Sequence, residues 1–166
     1  LANVEKRAFR MAILATKNEA DALDLVQETM MKLVKYYLFK PEEQWKPLFY
    51  KILHNNIMDW HRYKKWQTLL FFKSDETEVE QLPHLEANND NTPEQWLQAQ
   101  EGQSVALSLL ANLPIKQKQC FLLRAWEGLS VKETAKIMKC SEGSVKTHFY
   151  RASQKLKHVL EQDDDQ

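Results

Sequence analysis

From Ser74 to Glu101 the chain carries eight Asp or Glu and no Lys or Arg. A stretch of that composition buries too little apolar surface to offset the entropy of ordering it, so it divides whatever fold the flanking residues make. On either side the balance reverses. Residues 1–73 hold 13 basic and 8 acidic residues, residues 102–162 hold 10 and 4, and the tail 163–166 adds three Asp. The formal net charge of zero over 166 residues therefore conceals two basic blocks, an acidic bridge and an acidic tail. Each block is close to the roughly 60 residues at which a domain can just fold alone. Two basic modules joined by an acidic segment suit a polyanion binder, since Lys and Arg gain free energy by releasing counterions from phosphate, although small basic excesses are also ordinary on solvated faces.

The chain contains only 3 Gly and 5 Pro, and Leu, Lys, Gln, Glu and Ala dominate, which favours helices over sheets. An all-α fold is expected, with two small helical domains at 1–73 and 93–162, an acidic flexible linker at 74–92 and an acidic tail at 163–166. In the free protein the two modules are expected to be loosely tethered. Three helices are expected at 3–16, 20–37 and 45–66. Val4, Ala8, Met11 and Ala15 share one face of the first. Ala22, Leu25 or Val26, Thr29, Leu33 and Tyr37 line one face of the second, leaving Asp21, Asp24, Glu28 and Lys35 on the other. Thr92-Pro93-Glu94-Gln95 offers an N-cap, a proline for the first helical position and a Gln to close a capping box. The helix it starts should run to Leu113 and stop before Pro114.

The sharpest local signal follows. After a helix at 115–126, Gly128 can end it and Ser130-Val131-Lys132-Glu133 forms a capping box for a brief helix. Ala135 sits where two helices must approach closely, Lys139 and Cys140 fall in the turn, and Ser141 can cap again. These offsets fit a helix-turn-helix, whose second helix enters the major groove. In that helix Val145, Phe149, Ala152, Leu156 and Leu160 recur at helical spacing as an inward stripe. The outward face holds Lys146, Thr147, Tyr150, Arg151 and Gln154, flanked by His148 and Lys155. Lys and Arg can bind phosphate or guanine edges, while Thr and Gln reach base edges. Lys139 stands where glycine is usual, and a left-handed non-glycine residue there costs on the order of 1 kcal/mol.

The segment from Leu113-Pro114 to Leu123-Arg124, then Glu127-Gly128-Leu129-Ser130-Val131-Lys132-Glu133-Thr134-Ala135 and Gly143-Ser144-Val145-Lys146-Thr147, resembles region 4 of the extracytoplasmic-function sigma factors of bacterial RNA polymerase. Upstream, Asp21-Ala22-Leu23-Asp24-Leu25-Val26-Gln27-Glu28-Thr29 is similar to their region 2. The resemblance implies that Leu23, Asp24, Gln27 and Glu28 engage core polymerase, and that Ser144, Lys146, Thr147, His148, Tyr150, Arg151 and Lys155 face the minus-thirty-five element. Residues 39–66 are similar to the promoter-melting part of region 2. There Trp45, Phe49, Tyr50, Trp60, Tyr63 and Trp66 are interleaved with Lys46, Lys51, His54, His61, Arg62, Lys64 and Lys65. A flipped base can stack on an aromatic ring while cations hold the strand's phosphates. By position the resemblance makes Phe39, Lys51, His54, Asn55 and Arg62 candidates at the minus-ten element, with about half of the aromatics expected in the core. It further implies promoter DNA, core polymerase and an anti-sigma factor as partners, and a linker that occupies basic polymerase channels.

Two other classes remain open at this point. A LuxR-type regulator would use the helix-turn-helix without polymerase, and residues 21–66 are what it would lack. A nucleic-acid enzyme would need a site, but Asp59 and His61 are two residues apart and share no helical face, and there is no P-loop or Cys-His ligand set. No catalytic residue, metal or cofactor is expected. Cys120 and Cys140 read as small buried hydrophobes. No apolar run reaches the roughly 18 residues that span a bilayer, and Leu1 to Arg7 lacks a signal-peptide pattern, so a cytoplasmic chain without membrane insertion is expected.

Overall fold

The turn between the first two helices is set by two residues. In the computed structural model, which describes residues 2–74 and 104–163 and the side chains of 4–71 and 106–158, α1 spans Ala2–Thr16 and α2 spans Glu19–Tyr37. Lys17 ends α1 in the left-handed region at φ 54°, and the Asn18 side chain caps α2 by accepting from the Asp21 N–H at 2.9 Å. Glu19 and Asp21 occupy the first turn of α2, where the helix dipole favours acids. Ala22, Leu25, Val26, Thr29 and Leu33 are buried on its inner face, as the periodicity predicts.

Helix α3 spans Glu42–Ser74 and is longer at both ends than the expected 45–66. Pro47 lies inside it; so near the N-terminus the proline forgoes only one bond to an early carbonyl, and the helix continues past it. Beyond Trp66 the run Gln67 to Lys73 contains neither Gly nor Pro, and nothing stops the helix. Helices α2 and α3 are pinned by a polar chain: the buried Asn56 amide donates to Thr29 Oγ1 at 3.0 Å, Lys32 Nζ donates to Asn56 Oδ1 at 2.8 Å, and Lys32 pairs with Glu28 at 2.6 Å.

The second module begins with α4 (Ser104–Asn112) and α5 (Ile115–Phe121), which runs on into a π turn at Leu122–Trp126. The Thr92 cap lies outside the described residues. Gly128, at φ 66°, makes a bend that residues with a Cβ rarely adopt. The predicted capping box then starts α6 (Val131–Met138): the Ser130 side chain accepts from the Glu133 N–H at 3.1 Å and Glu133 accepts from the Ser130 N–H at 2.8 Å. These bonds hold the Glu133 carboxyl below the usual carboxylate range. Lys139 takes the left-handed conformation, φ 54° and ψ 46°, and α7 (Glu142–Asp163) follows.

The expectation of loosely tethered modules is not met. One continuous apolar core takes in Met11 and Ala12 of α1, Phe49, Leu53 and Ile57 of α3, and Leu122, Leu123, Leu129 and Ile137 of the second module. Helix α3 packs against α1, α2 and α6. The inner face of α3 is wide enough to serve both modules, because Phe49, Tyr50, Leu53 and Ile57 are all fully buried.

Candidate nucleic-acid and polymerase interfaces

Helix α7 is aimed by its start and held by its inner stripe. Ser141 Oγ accepts from the Ser144 N–H at 3.0 Å, and Val145, Ala152 and Leu156 are buried against the rest of the module. Phe149 stacks on Phe121 with ring centroids 5.7 Å apart, and the Arg124 guanidinium lies 5.7 Å from the Phe149 ring. The outward face is left to Lys146, Thr147, Tyr150, Arg151 and Lys155, all exposed. Thr147 donates its hydroxyl to the Gly143 carbonyl at 3.0 Å, so its methyl and remaining lone pairs are what it offers a base edge.

Two of the predicted residues take different roles. Ser144 belongs to the cap, with its hydroxyl 2.9 Å from that of Ser141. His148 is half-buried, and burial followed by nearby Lys116 and Arg151 lowers its pKa; a neutral imidazole does not neutralise phosphate. The sequence reading missed Lys132, Lys136 and Lys139, which line a shallow depression with Ser141 and Glu142 beside the start of α7. The signal for Lys132 and Lys136 was their position on the first helix of the motif, and for Lys139 its place in the turn that follows.

The expected minus-ten residues divide in the same way. Lys51, Asn55 and Arg62 are spaced to lie along one stripe of α3; Lys51 and Arg62 are exposed and Asn55 is half-buried. Arg62 pairs with Asp59. Phe39, on the loop before α3, is 97% exposed, which leaves the face of its ring accessible for stacking. His54 must be corrected. It lies in the seam between the modules at 6% exposure, and burial pushes its pKa down to about 4 against the opposing influence of nearby Gln119, with Lys139 lowering it further. Its place on α3 turns it away from the Lys51 stripe and toward the second module. Of the six aromatics, Phe49 and Tyr50 are buried, Trp45 and Trp60 are half-buried, and Tyr63 and Trp66 are exposed.

On α2, Leu23, Asp24, Gln27 and Glu28 all face solvent. Met31 at 69% and Val34 at 57% exposure extend that side as an apolar strip that the sequence reading did not pick out. Acids beside exposed apolar side chains suit a protein partner with a basic helical surface. Among the described residues no group of three His, Cys, Asp or Glu is placed to hold a metal ion, and no helix is long and apolar enough to cross a membrane.

Comparison with known proteins agrees with this geometry. Residues 2–67 match the family model for sigma-70 region 2, and residues 105–156 match that for sigma-70 region 4. RNA polymerase sigma factor SigV of Bacillus subtilis is 30% identical over 160 residues, covering 94% of this chain and 86% of that protein. The chain belongs to the sigma-70 family. It is an RNA polymerase sigma factor of the extracytoplasmic-function type, and the region 2 match leaves the LuxR-type alternative without support. ECF RNA polymerase sigma factor SigM of B. subtilis is 26% identical over 149 residues, 90% of this sigma factor and 85% of that one. The fold is shared with the sigma factor RpoE of Bartonella quintana, solved in complex with the anti-sigma factor NepR, at a TM-score of 0.69 and 24% identity over 97% of this chain and 94% of that one.

Proposed function

We propose that residues 93–162 read the minus-thirty-five element as intact duplex through Lys146, Thr147, Tyr150, Arg151 and Lys155, and that residues 1–73 capture and melt the minus-ten element through Phe39, Lys51, Asn55 and Arg62. Leu23, Asp24, Gln27 and Glu28 bind the core enzyme, and the 74–92 segment connects the two modules. The protein performs no chemistry of its own; it positions a polymerase that does, in the cytoplasm, and an anti-sigma protein is the class of partner that restrains it. The observation that carries this reading is the outward face of α7, where exposed cations and a tyrosine follow a capped turn. A positively charged, amphipathic second helix is the element that enters a major groove.

The test is transcription from a promoter library by purified core polymerase with and without the protein. New start sites preceded by a shared pair of elements are expected. A library whose start sites are the same in both reactions would overturn the reading.

A further inference from the structure

The set of promoter-reading residues leaves out a cation that α5 places beside α7. We propose that Lys116, His148 and Arg151 form a phosphate-binding site on the edge of α7, in which the imidazole is neutral in the free protein and takes up a proton as a duplex phosphate enters. This rests on the minus-thirty-five reading above and gives it a dependence on pH.

A helix with its side chains is about 10–12 Å across and a major groove is about 12 Å wide, so a helix in the groove meets phosphates along its edges. On α7 the inward stripe holds Val145, Ala152 and Leu156, and Lys146, Thr147 and Tyr150 are exposed on the outward face. His148, Arg151 and Lys155 follow one another at spacings of three and four and so share one edge. Helix α5 packs against α7 and brings the exposed Lys116 close enough to act on the imidazole. Among the described residues neither Lys116 nor Arg151 has an ion pair. Cations that converge without a carboxylate repel one another, and an anion among them relieves the repulsion.

His148 is the member whose charge can change. The ring is half-buried, and its buried Nδ1 has no hydrogen-bond partner among the described residues, so no internal bond fixes its protonation state. Burial, then Lys116 and Arg151, lowers its pKa, which leaves the ring neutral near pH 7. The charged groups that face it are Lys116 from α5 and Arg151 one turn along α7. Helix α4 has no titratable side chain, Lys132, Lys136, Lys139 and Glu142 line the depression at the start of α7, and Arg124 lies against the Phe149 ring. A phosphate among the three groups reverses the balance, because an opposite charge favours the imidazolium. A group whose pKa is higher in the complex than in the free protein binds a proton on association. Affinity is therefore constant well above both values and rises as pH falls through the pKa of the complex.

The test is fluorescence anisotropy with the full chain bound to core polymerase and a labelled duplex carrying the minus-thirty-five element of a promoter that the library experiment identifies. Between about pH 7.5 and about pH 5.5 the natural protein should tighten about three- to tenfold more than His148→Gln. At the lower pH its affinity should also fall more steeply with salt than that of His148→Gln, by up to about 0.9 in the log-log slope, a change that a packing role does not produce. His148→Arg should hold the duplex at the higher pH as tightly as the natural protein does at the lower one. Lys116→Ala should weaken binding and reduce the salt slope by about 0.9. All three variants should keep their helix content, since the side chains are exposed or half-buried. Parallel pH curves for the natural protein and His148→Gln overturn the proton link, and an unchanged salt slope in Lys116→Ala overturns the site. A natural protein that binds the duplex at neither pH overturns the minus-thirty-five reading and the proposal with it.

Discussion

The outward face of α7 and the seam between the modules contain the same three side-chain types in opposite surroundings. Tyr150, His148 and Lys146 stand on α7; Tyr50, His54 and Lys118 stand in the seam. Tyr150 is 64% exposed and Tyr50 is fully buried, its ionisation pushed up by burial and the adjacent Glu127. Lys146 is exposed, whereas burial pushes the Lys118 ammonium down to about 8. On α7 Tyr150 and Lys146 are left to meet a polyanion, and only His148 is half-buried. In the seam they are desolvated, and their role is to fix which surfaces dock. Residue type alone therefore does not identify a DNA-binding side chain; the face it occupies does.

The two tyrosines give the largest expected contrast. Tyr50→Ala should lower unfolding free energy by about 3–5 kcal/mol, as removal of a fully buried ring does. Tyr150→Ala should change it by less than about 0.5 kcal/mol while weakening duplex binding. Urea denaturation of both variants checks this, and equal losses would erase the distinction between seam and outward face.

That distinction was half legible in the sequence. The helix-turn-helix was read correctly down to the Ser130–Glu133 box, because caps and turns are local and their residues lie within a few positions of one another. The inner face of α2 and the outward placement of Asp24 and Glu28 also followed from periodicity, whereas Leu23 and Gln27 were singled out by the family resemblance. The burial of His54 was not legible. It depends on Gln119 in the other module, and helical periodicity does not say which of two apolar faces a long helix will share. The ends of α3 lie beyond the expected 45–66 because neither Pro47 nor any residue from Gln67 to Lys73 interrupts the helix.

Acid should act on the seam before it acts on α7. The His54 pKa is depressed, so the folded state favours the neutral ring while the unfolded chain takes up a proton near pH 6.5. The stabilisation is complete above that pH and is lost as pH falls toward about 4, an effect on the order of 3 kcal/mol for this nearly buried group. His61, lowered in the same direction by burial and then Lys118, adds to it. Stability measured from pH 7 to 4 should therefore fall less steeply in His54→Gln than in the natural protein, and parallel curves would refute the assignment.

A charge on each exposed surface should matter to one partner only. Arg151→Ala should weaken binding to a minus-thirty-five duplex by about 1–3 kcal/mol and leave core association unchanged. Asp24→Ala should do the reverse. Fluorescence anisotropy with labelled duplex and with labelled core enzyme separates the two. Loss of both activities from either change would mean that the faces of α7 and α2 do not act independently.

The smallest effect lies where the two regions meet. Lys139 ends α6 at φ 54°, a conformation that costs a residue with a Cβ about 1 kcal/mol and glycine almost nothing. Glycine also has more unfolded freedom to lose, which offsets about 0.4–1 kcal/mol of that gain, so Lys139→Gly should stabilise the protein by a net of no more than about 0.5 kcal/mol in urea denaturation. The same change removes a cation that lowers the His54 pKa from across the seam, so the pH dependence of stability should become slightly shallower. It also removes one of the lysines beside the start of α7, so duplex binding should become slightly less sensitive to salt. A stabilised variant with unaltered pH and salt dependence would assign Lys139 to the turn alone; a shift in all three would make it the residue through which DNA-facing charge and seam stability are traded.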